Sequence, residues 1–137
     1  MPFVLDNSVL CGWLFENQAT AYTQAMAERL EKDSAVAPAL LPLEYANVLR
    51  TACKRGVINA QTAQEMLRLL ATLPIDIDLA RPAPAQILDL ALRHDLSSYD
   101  AAYLDLALRC KLPIATRDEA LARAACVAGV GLAQPGP

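Results

Sequence analysis

Short apolar runs alternate with amphipathic stretches along most of the chain. Phe3-Val4-Leu5 has the pattern of a buried strand that ends at Asp6, and Asn7-Ser8 then caps a short helix over Val9–Phe15. Ala19–Lys32 carries Ala, Tyr, Met and Leu on one helical side, and Ser34–Pro38 reads as a second strand. Pro38 and Pro42 punctuate the approach to a helix over Leu43–Arg55. Tyr45, Val48, Leu49, Ala52 and Cys53 gather on one side of that helix. Glu44, Asn47, Thr51, Lys54 and Arg55 form a polar strip, and Gly56 stops the helix. Asn59 caps a helix over Ala60–Leu73. Ile75–Leu79 alternates strictly, so Asp76 and Asp78 turn to the wet side, away from any metal role.

The second half repeats the alternation. Pro84–His94 is helical, with His94 returning to the apolar side as a structural histidine. Ser97–Arg109 is the next helix, with Ser97 as its cap and Asp100 three residues on. At about 100° per residue, Asp105 and Arg109 pair along one face, and Asp100 falls roughly 140° away among residues that pack. Asp105 is therefore expected on a solvent stripe. Asp100 needs a helix N-terminus, a cation or a metal ion. Leu112–Thr116 is a further buried strand, Asp118–Ala128 an Ala-rich helix, and Gly129–Leu132 a short final strand. The pattern implies an α/β fold with a mostly parallel sheet and helices on both faces. Residues 1–133 form one domain in this reading, and the tail 134–137 is expected to be disordered.

Composition narrows the class of protein. In a chain of 137 residues, 55 % are hydrophobic but only 5 % aromatic, so the core is aliphatic. The net charge is −3, with 15 acids against 12 bases, so bulk attraction does not hold nucleic acid. The 4 cysteines are far apart and there is 1 histidine, which excludes a zinc-type spacing. The cysteines are expected as small buried hydrophobes of a reducing compartment. No run reaches membrane length and no secretory leader is read at the start, so a cytoplasmic protein is expected.

Four acids stand where chemistry is usually placed. Asp6 and Asp118 follow strands at their carboxyl ends, and Glu44 and Asp100 begin helices that can lean over the same crevice. Four such carboxylates cannot all be ionised close together without a compensating cation. All-oxygen ligation selects Mg²⁺ or Mn²⁺, which suits phosphodiester hydrolysis.

Asp6-Asn7-Ser8, Glu44-x-x-Asn47, Ser98-Tyr99-Asp100-Ala101-x-Tyr103 and Thr116-x-Asp118 occur in the order and spacing of the PIN-domain ribonucleases. The chain especially resembles the VapC-type toxins of toxin–antitoxin pairs, over nearly its whole length. The resemblance implies a three-layer α/β/α fold with a five-stranded parallel sheet. It also implies Mg²⁺- or Mn²⁺-dependent RNA cleavage that leaves a 5′-phosphate and a 3′-hydroxyl. Asp6, Glu44, Asp100 and Asp118 match the metal-binding acids, with Asp6 and Asp100 as principal ligands. Ser8, Asn47 and Thr116 match the polar residues that orient the acids or the water. Asn7 departs from the small or hydroxyl residue usual at its place. Lys54, Arg55 and Arg117 are candidate contacts to the RNA backbone.

A small antitoxin covering the acidic cleft with a basic or apolar segment is the expected partner, and a homodimer the expected assembly. The competing readings are a catalytically silent PIN-like association module, a PIN nuclease that is not a toxin, and an aspartyl-phosphate receiver. The last lacks an Asp-x-Asp after the first strand and a late lysine.

Overall fold

The computed structural model describes residues 1–136; Pro137, the end of the expected disordered tail, lies outside the described residues. Among the described residues there are four strands: β1 (Phe3–Leu5), β2 (Ala35–Pro38), β3 (Ile75–Asp78) and β4 (Ile114–Ala115). Seven α-helices connect and follow them: α1 (Asn7–Leu14), α2 (Ala21–Leu30), α3 (Leu40–Lys54), α4 (Ala60–Thr72), α5 (Pro84–His94), α6 (Ser98–Cys110) and α7 (Glu119–Val127). A 3₁₀ turn, Glu16–Gln18, joins α1 to α2.

The sheet is parallel, in the order β3-β2-β1-β4. From β1 the chain moves outward through β2 to β3, then returns to place β4 on the other side of β1. Strand order therefore reverses between β1 and β4, the position where open parallel sheets hold ligands. Phe3, Val4 and Leu5 have no solvent exposure, as expected of a strand covered on both faces. The other edge strand, β3, exposes Asp76.

The expected fifth strand is corrected by the structure. Gly129–Leu132 contributes a single parallel bridge, Ile114 to Leu132, rather than a ladder. Gly129 and Gly131 take positive φ of 86° and 74°, so the segment is turned rather than extended. Its end is nevertheless held, because Ala133 N donates to Ile114 O at 2.8 Å and Arg29 donates to the Gln134 carbonyl at 2.6 Å.

Helix α6 lies against β1, β2 and β4, with α5 and α7 beside it. This packing overturns the expected exposure of Asp105, which is only 1 % exposed. A helical wheel does not register the neighbour, and here α5 covers the stripe. Gln86 on α5 donates to Asp105 Oδ1 at 2.9 Å, and Arg109 Nε donates to Oδ2 at 2.8 Å. Arg109 continues to Asp78 at the end of β3, also at 2.8 Å. The cysteines are likewise less uniform than expected: Cys11 is buried, Cys53 half-buried, and Cys110 and Cys126 exposed.

Helix α3 begins three residues earlier than the sequence pattern predicts. Pro42 is inside its first turn, where a missing N–H leaves no helical bond unmade. Glu44 accordingly sits in the second turn. At the other end the Gly56 and Val57 amides donate to the carbonyls of Cys53 and Ala52, at 3.0 and 2.9 Å. This is a Schellman turn, and it requires the positive φ of 72° at Gly56.

Candidate active site

Register brings the first two elements of the site together. Leu5 pairs with Ala115 at the end of the β1–β4 ladder, so Asp6 and Thr116 emerge side by side one step beyond. Asp6 is the N-cap residue of α1 by position, yet its carboxylate makes no capping bond. Instead Asp6 Oδ2 accepts from Ser8 Oγ and from Thr116 Oγ1, both at 2.7 Å. Oδ1 has no protein partner among the described residues. Ser8 Oγ in turn accepts from the Arg117 amide at 3.0 Å, and Thr116 Oγ1 accepts from the Asp118 amide at 3.0 Å. The two loops after β1 and β4 are thus laced into one unit around a 6 % exposed carboxylate.

The other acids reach the same place from separate helices. Asp118 caps α7, Oδ2 accepting from the Leu121 amide at 2.8 Å. Asp100 occupies the first turn of α6, whose start is fixed by Ser97 Oγ accepting from the Asp100 amide at 3.1 Å. Glu44 leans over from α3, and Tyr103 Oη donates to its Oε1 at 2.6 Å. Asp6, Glu44, Asp100 and Asp118, with Ser8, line one open cleft of about 340 Å³.

Electrostatics records the crowding. Partial burial, then the nearby charges of Asp6 and Asp118, push the Asp100 carboxyl up to about 6. Burial raises Glu44 as well; Tyr103 opposes that by stabilising the carboxylate, and Asp6 and Asp100 add to it. Cys11, against the floor of the cleft, is pushed up to about 11, chiefly by burial, so it remains a thiol.

This donor set fits a hard divalent cation: all of its acids offer oxygen, and a positive charge would relieve their repulsion. Among the described residues, however, no three ligating side chains stand close enough to enclose one ion.

Two expected site residues are placed differently. Arg117, a candidate for the RNA backbone, commits its guanidinium to the protein: Nε and Nη2 donate to Ser8 O at 3.0 and 2.7 Å, and Nη1 donates to Gln18 O at 2.6 Å. It fastens the 3₁₀ turn to the first loop. Asn47, matched to a residue that orients the acids, is exposed and makes no side-chain hydrogen bond to them among the described residues. It lines the neighbouring groove instead, as does Arg55. Lys54 is exposed beside it at the end of α3.

Tyr103 enters the site description through structure. Its place in the Ser98–Tyr103 motif was legible, but helix spacing alone cannot show that its hydroxyl reaches Glu44 on another helix.

The fold and the cleft define the class. The chain matches the PIN domain family over residues 3–126 and belongs to that family. Ribonuclease VapC1 of Mycobacterium tuberculosis, in strains CDC 1551 and H37Rv, is 34% identical over 98 residues, which is 69% of this chain and 71% of the relative. The chain is thus a VapC-type member of the family. Among solved structures, that of PAE2754 from Pyrobaculum aerophilum superposes with a TM-score of 0.70, covering 90% of this chain and 84% of that one at 21% identity. At that identity it bears on the fold alone.

Proposed function

We propose that this chain is a divalent-metal-dependent endoribonuclease, the toxin of a toxin–antitoxin pair, which hydrolyses RNA to a 5′-phosphate and a 3′-hydroxyl. The observation that carries the reading is the meeting of Asp6, Glu44, Asp100 and Asp118 on one cleft at the reversal of strand order. The similarity to a ribonuclease over more than two thirds of the chain supports it.

Asp6 and Asp100 would be the principal holders of Mg²⁺ or Mn²⁺, with Glu44 and Asp118 acting on coordinated waters or a second ion. The cation would neutralise charge on the phosphate under attack and make water a stronger nucleophile near neutral pH. Ser8 and Thr116 fix Asp6 Oδ2, so that Oδ1 keeps one orientation toward the cleft. Tyr103 fixes Glu44 Oε1 and leaves Oε2 to orient the attacking water. No side chain is required as a covalent nucleophile.

A small antitoxin would block this cleft, and the working enzyme would be a cytoplasmic homodimer of single-domain chains. Among the described residues no helix is long and apolar enough to cross a membrane. The test is cleavage of single-stranded RNA with Mn²⁺, with and without a chelator, for the wild type and Asp100→Asn. Chelator-sensitive cleavage that is lost in the variant supports the reading. Inactivity of the wild type in Mn²⁺ overturns it in favour of an association module.

A further inference from the structure

A second groove, of about 270 Å³, lies beside the acidic cleft and shares two of its residues, Gln18 and Val48. The two depressions therefore adjoin. Helix α3 supplies the common wall, with Glu44 on the cleft and Asn47, Thr51 and Arg55 on the groove. At 1.5 Å per residue this strip runs about 16 Å from Glu44 to Arg55. Asn17 and Gln18, on the 3₁₀ turn, face it from the other side.

The polar groups on these walls differ sharply from those around the acids. Ser8, Thr116 and Arg117 are consumed by hydrogen bonds within the protein. The side chains of Asn17, Asn47, Thr51 and Arg55 make no hydrogen bond or ion pair among the described residues. Gln18 is half committed, its Oε1 lying 3.4 Å from Arg117 Nη2, which leaves its amide N–H groups as donors into the groove. Carboxamides lining one groove offer both donors and acceptors, the chemistry that reads the edge of an unstacked base. Arg55 stands at the far end, held by the Schellman turn, where the strand's next phosphate would need a cation.

We infer that this groove seats an unpaired nucleotide of the RNA next to the scissile phosphate, with Asn47 and Gln18 reading its base and Arg55 meeting its backbone. The inference rests on the ribonuclease reading and adds the source of sequence preference to it. The groove is expected to favour an unpaired base, because pairing hides the Watson–Crick edge. The site also explains how a chain of net charge −3 holds a polyanion: by a few placed donors rather than by overall attraction. Arg117 is the joint between the two sites, since it ties the Ser8 loop of the cleft to the Gln18 turn of the groove.

The test is cleavage of a randomised single-stranded RNA pool in Mn²⁺, with cut sites sequenced, for the wild type, Asn47→Ala, Arg55→Ala and the control Arg68→Ala on the exposed side of α4. Binding of a labelled single-stranded RNA in chelator is measured in parallel. The wild type is expected to prefer certain bases at one position beside the cut, and Asn47→Ala to lose that preference by about fivefold or more. Arg55→Ala is expected to weaken binding and raise KM about fivefold with little change in kcat, and to do so less at high salt. Arg68→Ala should match the wild type. Wild-type cut patterns and binding in both groove variants would overturn the inference while leaving the nuclease reading intact, and would leave the groove to a protein partner. A wild type that neither cuts nor binds RNA overturns both.

Discussion

Tyr103 holds Glu44 across the cleft wall, its buried hydroxyl donating to Oε1 at 2.6 Å from a residue 59 positions away in sequence. The phenol itself is pushed upward, by burial and then by the Glu44 carboxylate, and stays a donor at any working pH. A hydrogen bond to a charged group contributes about 1.5–3 kcal/mol. Tyr103→Phe is expected to lower stability at the bottom of that range, since Glu44 is partly solvated, and to reduce kcat more than RNA binding. Tyr45, equally buried but with an unpartnered hydroxyl, gives the opposite expectation. Tyr45→Phe should leave activity alone and raise stability by up to about 1 kcal/mol. Urea unfolding of the two variants checks the contrast.

Asp100 should make stability depend on pH in a direction opposite to that of a salt-bridged acid. Its carboxyl is raised from 3.8 to about 6, so the fold prefers the protonated form. That preference is fully present below the unfolded value and is lost as pH rises through about 6. Asp100→Asn should therefore melt higher than the wild type at pH 7.5 without divalent ions. With the partial exposure of the group discounted, the gain is about 1–2 kcal/mol. The difference should vanish below about pH 4. Mg²⁺ or Mn²⁺ should raise the wild-type Tm and leave that of the variant nearly unmoved. Thermal melts at the two pH values, with and without the ion, decide it.

Asp105 is expected to matter for folding rather than for chemistry. Asp105→Ala leaves Gln86 without its acceptor and Arg109 with Asp78 alone. Breaking a buried charge pair from one side costs about 3–5 kcal/mol, and the partly exposed Arg109 brings this to about 2–4. Denaturant midpoints should drop accordingly, and RNA cleavage per folded molecule should be kept.

Arg117→Lys separates a clamp from an RNA contact. Lysine keeps the charge but cannot span Ser8 O and Gln18 O with a planar fork. The variant is expected to lose about 1–3 kcal/mol of stability. RNA affinity should be unchanged, because the guanidinium is committed to Ser8 O and Gln18 O. Weakened RNA binding at unchanged stability would show that the guanidinium leaves the protein for the RNA.

Much of the fold was legible because its strands are short apolar runs, and three of its helices carry the caps expected of them, whereas Asn7 and Ser8 fall inside α1 rather than capping it. Ser97, Asn59 and Asp118 each accept from an amide three residues on. That the four acids meet on one cleft was legible too, since strand ends and the first turns of helices converge in a parallel sheet, although Glu44 sits one turn further along than its spacing suggests. What escaped depends on neighbours that are distant in sequence. Asp105 reads as exposed until α5 covers it, and Arg117 reads as free until the Gln18 turn closes beneath it. Asn47 and Glu44 share a strip of α3, and only the tertiary structure assigns them to adjoining depressions. Two glycines at positive φ reduced the last strand to one bridge, which apolar content alone did not reveal.

The border strand β3 has an effect that reaches beyond a single molecule. Its free rim would offer another chain a line of unmatched backbone groups, the usual route to ribbon-like aggregation. Pro74 at its threshold and the exposed carboxylate of Asp76 make that rim unwelcoming to a second strand, one that would bring its own Asp76 alongside. Asp76, the one exposed residue of β3, thus sets like charges against each other in any such pairing.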